Sequence, residues 1–65
     1  MNKTEIGKAI AERRKTLGIS QGRLAELSGV AVHTISNLET GRGNITLDTL
    51  LKVAGTLGYR VSIGV

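Results

Sequence analysis

The 65-residue chain has no cysteine, proline, tryptophan or phenylalanine, one tyrosine and one histidine. Without cysteine there can be no disulfide framework, and a single histidine excludes the usual zinc-ligand spacings. Absence of thiols is compatible with the cytosol but does not require it. Proteins that read RNA or single strands stack bases on aromatic rings, so one aromatic side chain argues against that class. No apolar run approaches the roughly 20 residues of a membrane span. The opening Met1-Asn2-Lys3-Thr4-Glu5 leads into a mixed polar and apolar pattern, not an apolar targeting segment. The expectation is a soluble, cytoplasmic protein. There is also no low-complexity tract, linker or internal repeat, and the length predicts one domain.

A chain this short buries only about 60% of the surface that its unfolded form exposes, which leaves a marginal core. With disulfides and metals set aside, close helix packing or a second subunit must make up the difference. Nine Lys and Arg stand against five Asp and Glu, a formal net charge of +4. That excess favours a polyanionic partner, nucleic acid or a membrane surface, and serves solubility equally well.

Hydrophobic spacing predicts four helices. Over Thr4 to Leu17, Ile6, Ala9, Ile10, Arg13, Arg14 and Leu17 recur at three and four residues, with Asn2 or Thr4 as cap and Gly18 closing the helix. Ser20 is a good N-cap for a short second helix, Gln21 to about Ser28, with Leu24, Ala25 and Leu27 inward and Gly29 beyond its end. A third helix is expected over about Val32 to Thr40, closed by Gly41, with Ala31, Ile35 and Leu38 on its inner side. After the loop Arg42-Gly43-Asn44-Ile45, Thr46 caps a fourth helix that buries Leu47, Leu50, Leu51, Ala54 and Leu57 and ends at Gly58. The period then changes to two: Tyr59, Val61, Ile63 and Val65 alternate with Arg60, Ser62 and Gly64, as in a strand. A lone strand needs a partner for its backbone groups, and the same strand of a second copy is the simplest one. A frayed tail, or a strand lying on its own helices, are the other readings. The chain thus divides into 1–58, the helical part, and 59–65, a strand of the same domain.

The segment Gln21 to Glu39 meets the geometric needs of a helix-turn-helix. Two helices crossing steeply need a small residue at the crossing, which Ala25 provides, and the turn needs tolerance of positive φ, which Gly29 provides. Ile35 can plug the second helix onto the first, with Leu38 a turn later and Val30 at the corner. On the wheel of the third helix, His33, Ser36, Asn37 and Thr40 face away from Ile35 and Leu38.

Catalysis finds no support. His33 has no Cys or second His beside it, and Gly41-Arg42-Gly43 lacks both the full spacing of a phosphate loop and a preceding strand. Glu5, Glu12, Glu26, Glu39 and Asp48 are scattered rather than paired. The expectation is a binding protein with no cofactor and no metal.

The run Gly18-Ile19-Ser20-Gln21, then Leu24-Ala25-Glu26-Leu27-Ser28-Gly29-Val30 and Thr34-Ile35-Ser36-Asn37-Leu38-Glu39-Thr40-Gly41, resembles the Cro/C1-type (XRE-type) helix-turn-helix regulators over roughly Ile6 to Leu57. The remainder, Asn44 to Val53 and the short strand, resembles the HipB-like branch of antitoxin-type repressors, whose C-terminal strands pair across a dimer. The resemblance implies a mainly α, four-helix, lambda-repressor-like domain that binds double-stranded DNA as a homodimer. It places the third helix in the major groove, with Val32, His33, Ser36 and Asn37 toward base edges, Asn being suited to adenine. Gln21, Arg23, Thr34, Thr40 and Arg42 fall to the DNA backbone, which sets register and not sequence. It also implies that Arg14 and Glu39 form a partly buried pair tying the first helix to the third, and that Tyr59, Val61, Ile63 and Val65 serve dimerisation. Three departures stand out: Ala31 replaces the usual Ser or Thr cap, a loss of about 1 kcal/mol, and Gly22 and Arg23 stand where helix-favouring or acidic residues are common. The functions implied are an operator-binding repressor, an antitoxin that restrains a HipA-like kinase toxin, or a phage-type or restriction–modification controller. A small-molecule sensing pocket is not expected.

Overall fold

Where each helix starts is decided by a side chain that can accept from the orphan N–H groups of its first turn. Asn2 and Glu5 do so reciprocally: Glu5 N donates to Asn2 Oδ1 at 2.9 Å, and Asn2 N donates to Glu5 Oε1 at 3.2 Å, a capping box. Ser20 Oγ accepts from Arg23 N at 3.0 Å and Thr46 Oγ1 from Thr49 N at 3.1 Å. The resulting elements, in a computed structural model that describes residues 1–62, are α1 (Lys3–Thr16), α2 (Gln21–Ser28), α3 (Val32–Thr40) and α4 (Leu47–Thr56). Ala31, at the N-cap of α3, makes no side-chain cap. Gly29 and Gly41 close α2 and α3 at φ of 71° and 72°, in the left-handed region that other residues occupy only with strain.

The four helices enclose one core built from Ile10 of α1, Leu24 of α2, Ile35 and Leu38 of α3, and Val53, Ala54 and Leu57 at the end of α4. Leu24, Ile35 and Val53 lose all contact with solvent. Each such side chain stabilises the fold by about 1.5–3 kcal/mol relative to exposure. Helix α3 packs against both α1 and α2, and α4 packs against α2. Ile6, Ile19, Ala25, Val30, Ile45 and Leu50 seal the margins of this core.

Gly7, a residue that the hydrophobic pattern passes over, decides how closely α1 and α3 approach. It is buried in the middle of α1. A Cβ built there would meet the carbonyl oxygens of Leu38 and Glu39, the latter at 2.8 Å. Lys3, Gly7, Ile10 and Arg14 lie at three- and four-residue spacing, so the face of α1 that meets α3 runs through this glycine.

Several side chains expected inside are exposed. Leu17 and Leu27 lie at the surface, and Ala31 is exposed as the cap residue outside α3. On α4 the buried arc is centred between Val53 and Leu57, about 140° around the helix from Leu51. Leu47 and Leu51 therefore face solvent, Leu47 at 66% exposure. The expected strand is not formed over Tyr59–Ser62, and no strand occurs among the described residues. Among the described residues no other segment is a strand with which it could form a ladder. Ile63 and Val65 of that expectation lie outside the described residues.

Gly7→Ala is expected to lower stability by about 2 kcal/mol or more, because backbone atoms must move to admit the methyl group. Gly55→Ala, in α4 with nothing within 4 Å of the added carbon, is expected to raise stability by about 0.5–1 kcal/mol through helix propensity. Thermal unfolding followed by circular dichroism checks both signs.

Candidate nucleic-acid interface

Helix α3 is held in place by a polar cluster at its inner, C-terminal end. Arg14 of α1 meets Glu39 of α3 in a two-pronged ion pair, Nε to Oε2 at 2.6 Å and Nη2 to Oε1 at 3.0 Å. Arg14 Nη1 also donates to the carbonyl of Ile19 in the α1–α2 connection at 3.0 Å. Gln21, the first residue of α2, donates its amide N–H to Glu39 Oε1 at 2.9 Å. One carboxylate thus joins α1, α2 and α3. The side chains of Arg14 and Glu39 are only 12% and 5% exposed, so water screens the pair weakly.

Burial by itself would raise the pKa of Glu39. The hydrogen bonds from Arg14 and Gln21, with the charges of Arg14 and Lys15, outweigh it and hold the carboxyl below its ordinary value. The hydrogen bond to Glu39 in turn raises the Arg14 guanidinium, against the opposing effect of burial. Glu39 is the only acidic residue of α3, and it is consumed inside the protein. The outward face of the helix presents no carboxylate to repel phosphates.

Val32 and His33 are exposed on that face, and Ser36, Asn37 and Thr34 are half-buried beside them. Thr40 is exposed, but its hydroxyl donates back to the carbonyl of Ser36 at 2.9 Å, so in this conformation it offers a partner only its lone pairs. Gln21 is not free either, since one amide N–H is committed to Glu39. Arg23 projects from the first turn of α2 with Glu26 at 3.9 Å, a weak surface pair.

After α3 the chain turns sharply. Gly41 N donates to the Leu38 carbonyl and Arg42 N to the Asn37 carbonyl, at 3.2 and 2.8 Å, which satisfies the helix end and leaves Arg42 exposed. Lys3, from the start of α1, donates its ammonium to the carbonyl of Gly43 at 2.8 Å and lies 3.4 Å from Asn44 Oδ1. Lys3, Asn37 and Arg42 share the rim of an open groove of about 260 Å³ floored by Ile6, Leu38 and Leu50. The hydrophobic pattern of the sequence does not single out Lys3. The signal for it is its place on the Gly7, Ile10, Arg14 stripe.

At the far end of the molecule, Arg13 Nε donates to the Leu57 carbonyl at 3.0 Å, and its guanidinium lies 5.7 Å from the centre of the Tyr59 ring. Tyr59 and Val61 are exposed. A second groove, about 300 Å³, runs between α1 and α4 beside these residues, lined by Ile6, Ala9, Ile10, Leu50 and Ala54. No group of three His, Cys, Asp or Glu among the described residues could hold a metal ion. No described helix is long and apolar enough to cross a membrane.

Because the carboxyl of Glu39 is held below its unfolded value, its contribution to stability is present above the ordinary carboxylate range, near pH 4. It is lost as pH falls through the lower folded value. Glu39→Ala should cost about 3 kcal/mol by leaving Arg14 buried and unpaired. Glu39→Gln should flatten the acid limb of a stability-against-pH curve measured by urea unfolding.

The family model described as helix-turn-helix matches residues 10–63. A Haemophilus influenzae protein named as an HTH-type transcriptional regulator is 45% identical over 56 residues, 86% of this chain and 57% of the relative. The HTH-type transcriptional regulator PuuR of Escherichia coli is 38% identical over 56 residues, again 86% of this chain but 30% of PuuR. The chain therefore spans little more than half the length of the first relative and under a third of the second. Among solved structures, the restriction-modification controller protein C.AhdI from Aeromonas hydrophila superposes with a TM-score of 0.82 at 33% identity, covering 88% of this chain and 86% of that one. With this match spanning most of its length, and with α2 packed on α3 across a turn at Gly29, the chain belongs to the helix-turn-helix family of the Cro/C1 type.

Proposed function

We propose that this protein is a sequence-specific double-stranded DNA-binding regulator, without catalytic activity, that represses transcription as a homodimer on a palindromic operator. The observation that carries the reading is the state of α3. Its inner end is fastened by a neutralised carboxylate, its outer face bears Val32, His33, Ser36 and Asn37, and an exposed Arg42 follows its last turn. Small donors and acceptors on a helix that enters the major groove suit base edges, with Asn37 for adenine and Val32 for a thymine methyl. Arg42 and Arg23, with the second amide N–H of Gln21, suit phosphates on either side. Thr34 and Thr40 would join them, Thr40 by turning its hydroxyl outward. That the superposable C.AhdI is a restriction-modification controller protein, and that the sequence relatives are named transcriptional regulators, supports the same class.

The dimer rests on exposed apolar side chains that a lone copy leaves wet. Leu47 and Leu51 on α4, with Tyr59 and Val61 beyond it, are all more than 40% exposed. Pairing of the C-terminal segments about a two-fold axis would cover them and supply a ladder that the described residues of one copy do not contain. The two copies of α3 would then enter successive major grooves about 34 Å apart. A second reading, an antitoxin of the HipB-like branch that also restrains a HipA-like kinase, uses this same dimer. Co-purification of a kinase would support it.

Selection of duplexes from a random library, with the winners titrated at two salt concentrations, tests the proposal. A palindrome with half-sites about one helical turn apart is expected, and equal binding to all duplexes would overturn it. Asn37→Ala should relax preference at one base position while leaving the salt dependence intact. Arg42→Ala should weaken binding to every duplex and lower the salt slope by about 1. Deleting residues 59–65 should yield monomers by sedimentation equilibrium, and an unchanged dimer would refute strand pairing.

A further inference from the structure

The end of the recognition helix opposite its Ala31 cap carries a cation that belongs to another helix. Lys3 begins α1, yet its ammonium sits against the Arg42–Gly43–Asn44 turn, 2.8 Å from the carbonyl of Gly43. No carboxylate among the described residues lies within ion-pair distance of Lys3 or of Arg42. Two uncompensated positive charges therefore flank one groove, with Asn37 on the same rim. The groove floor is apolar, so water there is a poorer competitor for an anion than on an open surface.

We infer that Lys3 and Arg42 form a two-cation clamp for a phosphodiester of the DNA backbone next to the base that Asn37 reads. This rests on the DNA-binding reading above and adds to it a residue from outside the helix-turn-helix. Backbone packing brings the two cations together. Gly7 lets α1 lie against α3, and Gly41 passes so close to Thr4 that an added Cβ would meet its hydroxyl oxygen at 3.0 Å. The first turn of α1 is thereby fixed beside the last turn of α3. The ammonium has three donors, and the loop takes one at 2.8 Å and the Asn44 side chain another at 3.4 Å. A third is left for a phosphate oxygen. Arg42, which lines the same groove, supplies a planar guanidinium suited to grip a second oxygen.

A merely structural Lys3, one that only staples the loop, would change stability and not the number of counterions released. The test is the dependence of affinity on salt, measured by fluorescence anisotropy with a duplex carrying the selected site, for the wild type, Lys3→Gln, Lys3→Arg and Arg42→Ala. Each phosphate contact contributes about 0.9 to the slope of log affinity against log salt on duplex DNA. Lys3→Gln is expected to lower the slope by about that amount, Lys3→Arg to retain it, and thermal unfolding of both to stay near the wild type. If Arg42→Ala lowers the slope while Lys3→Gln leaves it unchanged, the clamp is refuted and the DNA-binding reading stands. If the wild type shows no salt-dependent duplex binding, the DNA-binding reading itself falls, and the clamp with it.

Discussion

The carboxylate of Glu39 is the point at which the three N-terminal helices are joined. It accepts from Arg14 of α1 and Gln21 of α2, and Arg14 reaches on to the Ile19 carbonyl between them. In a domain with no disulfide and a small core, few other contacts fix the orientation of one short helix against its neighbours. Apolar packing of Ile35 and Leu38 resists removal of α3 but is tolerant of its rotation. A two-pronged ion pair is not, because its distances and angles must both be kept. The same pair takes the one carboxylate of α3 out of reach of a polyanion, so holding the helix and preparing its outer surface are a single act.

Glycine sets the second constraint. Gly7 admits the backbone of α3, which brings the start of α1 to the turn after α3. Gly29 and Gly41 turn the chain at both ends of the reading unit at positive φ. The cost of such flexibility in the unfolded chain is borne by good caps elsewhere, Asn2 with Glu5, Ser20 and Thr46. Ala31 is the exception. The first turn of α3, where Val32 and His33 stand, is therefore its least secured part, and DNA contact would order it.

The four helices were legible in the sequence because their spacing, caps and terminal glycines all point the same way, and the limits of α2 and α3 fall where Ser20, Gly29 and Gly41 put them. The Arg14–Glu39 pair became legible only through the family resemblance. Side chains at the edge of an amphipathic stripe were not. Leu47 and Leu51 fit the apolar period of α4 better than Val53, which the expected face leaves out, and the packing of α4 on α2 reverses the choice, burying Val53 and leaving both leucines exposed. Gly7 and Lys3 escaped notice because a hydrophobic pattern registers apolar side chains, whereas one acts by having none and the other by reaching across to a different helix. The two-residue alternation of Tyr59 to Val65 reads as a strand, but the structure forms none over Tyr59–Ser62 and has no described strand for it to pair with, and residues 63–65 fall beyond those described.

Hydrogen–deuterium exchange on the free wild type and on Glu39→Gln would test most directly whether this cluster holds the reading helix. Backbone amides of α3 should be protected in the wild type to nearly the level of α1. They should lose that protection selectively in the variant, with α1 and α4 little changed. Equal protection of α3 in the two proteins would contradict the account, since the helix would then be held by its apolar side alone.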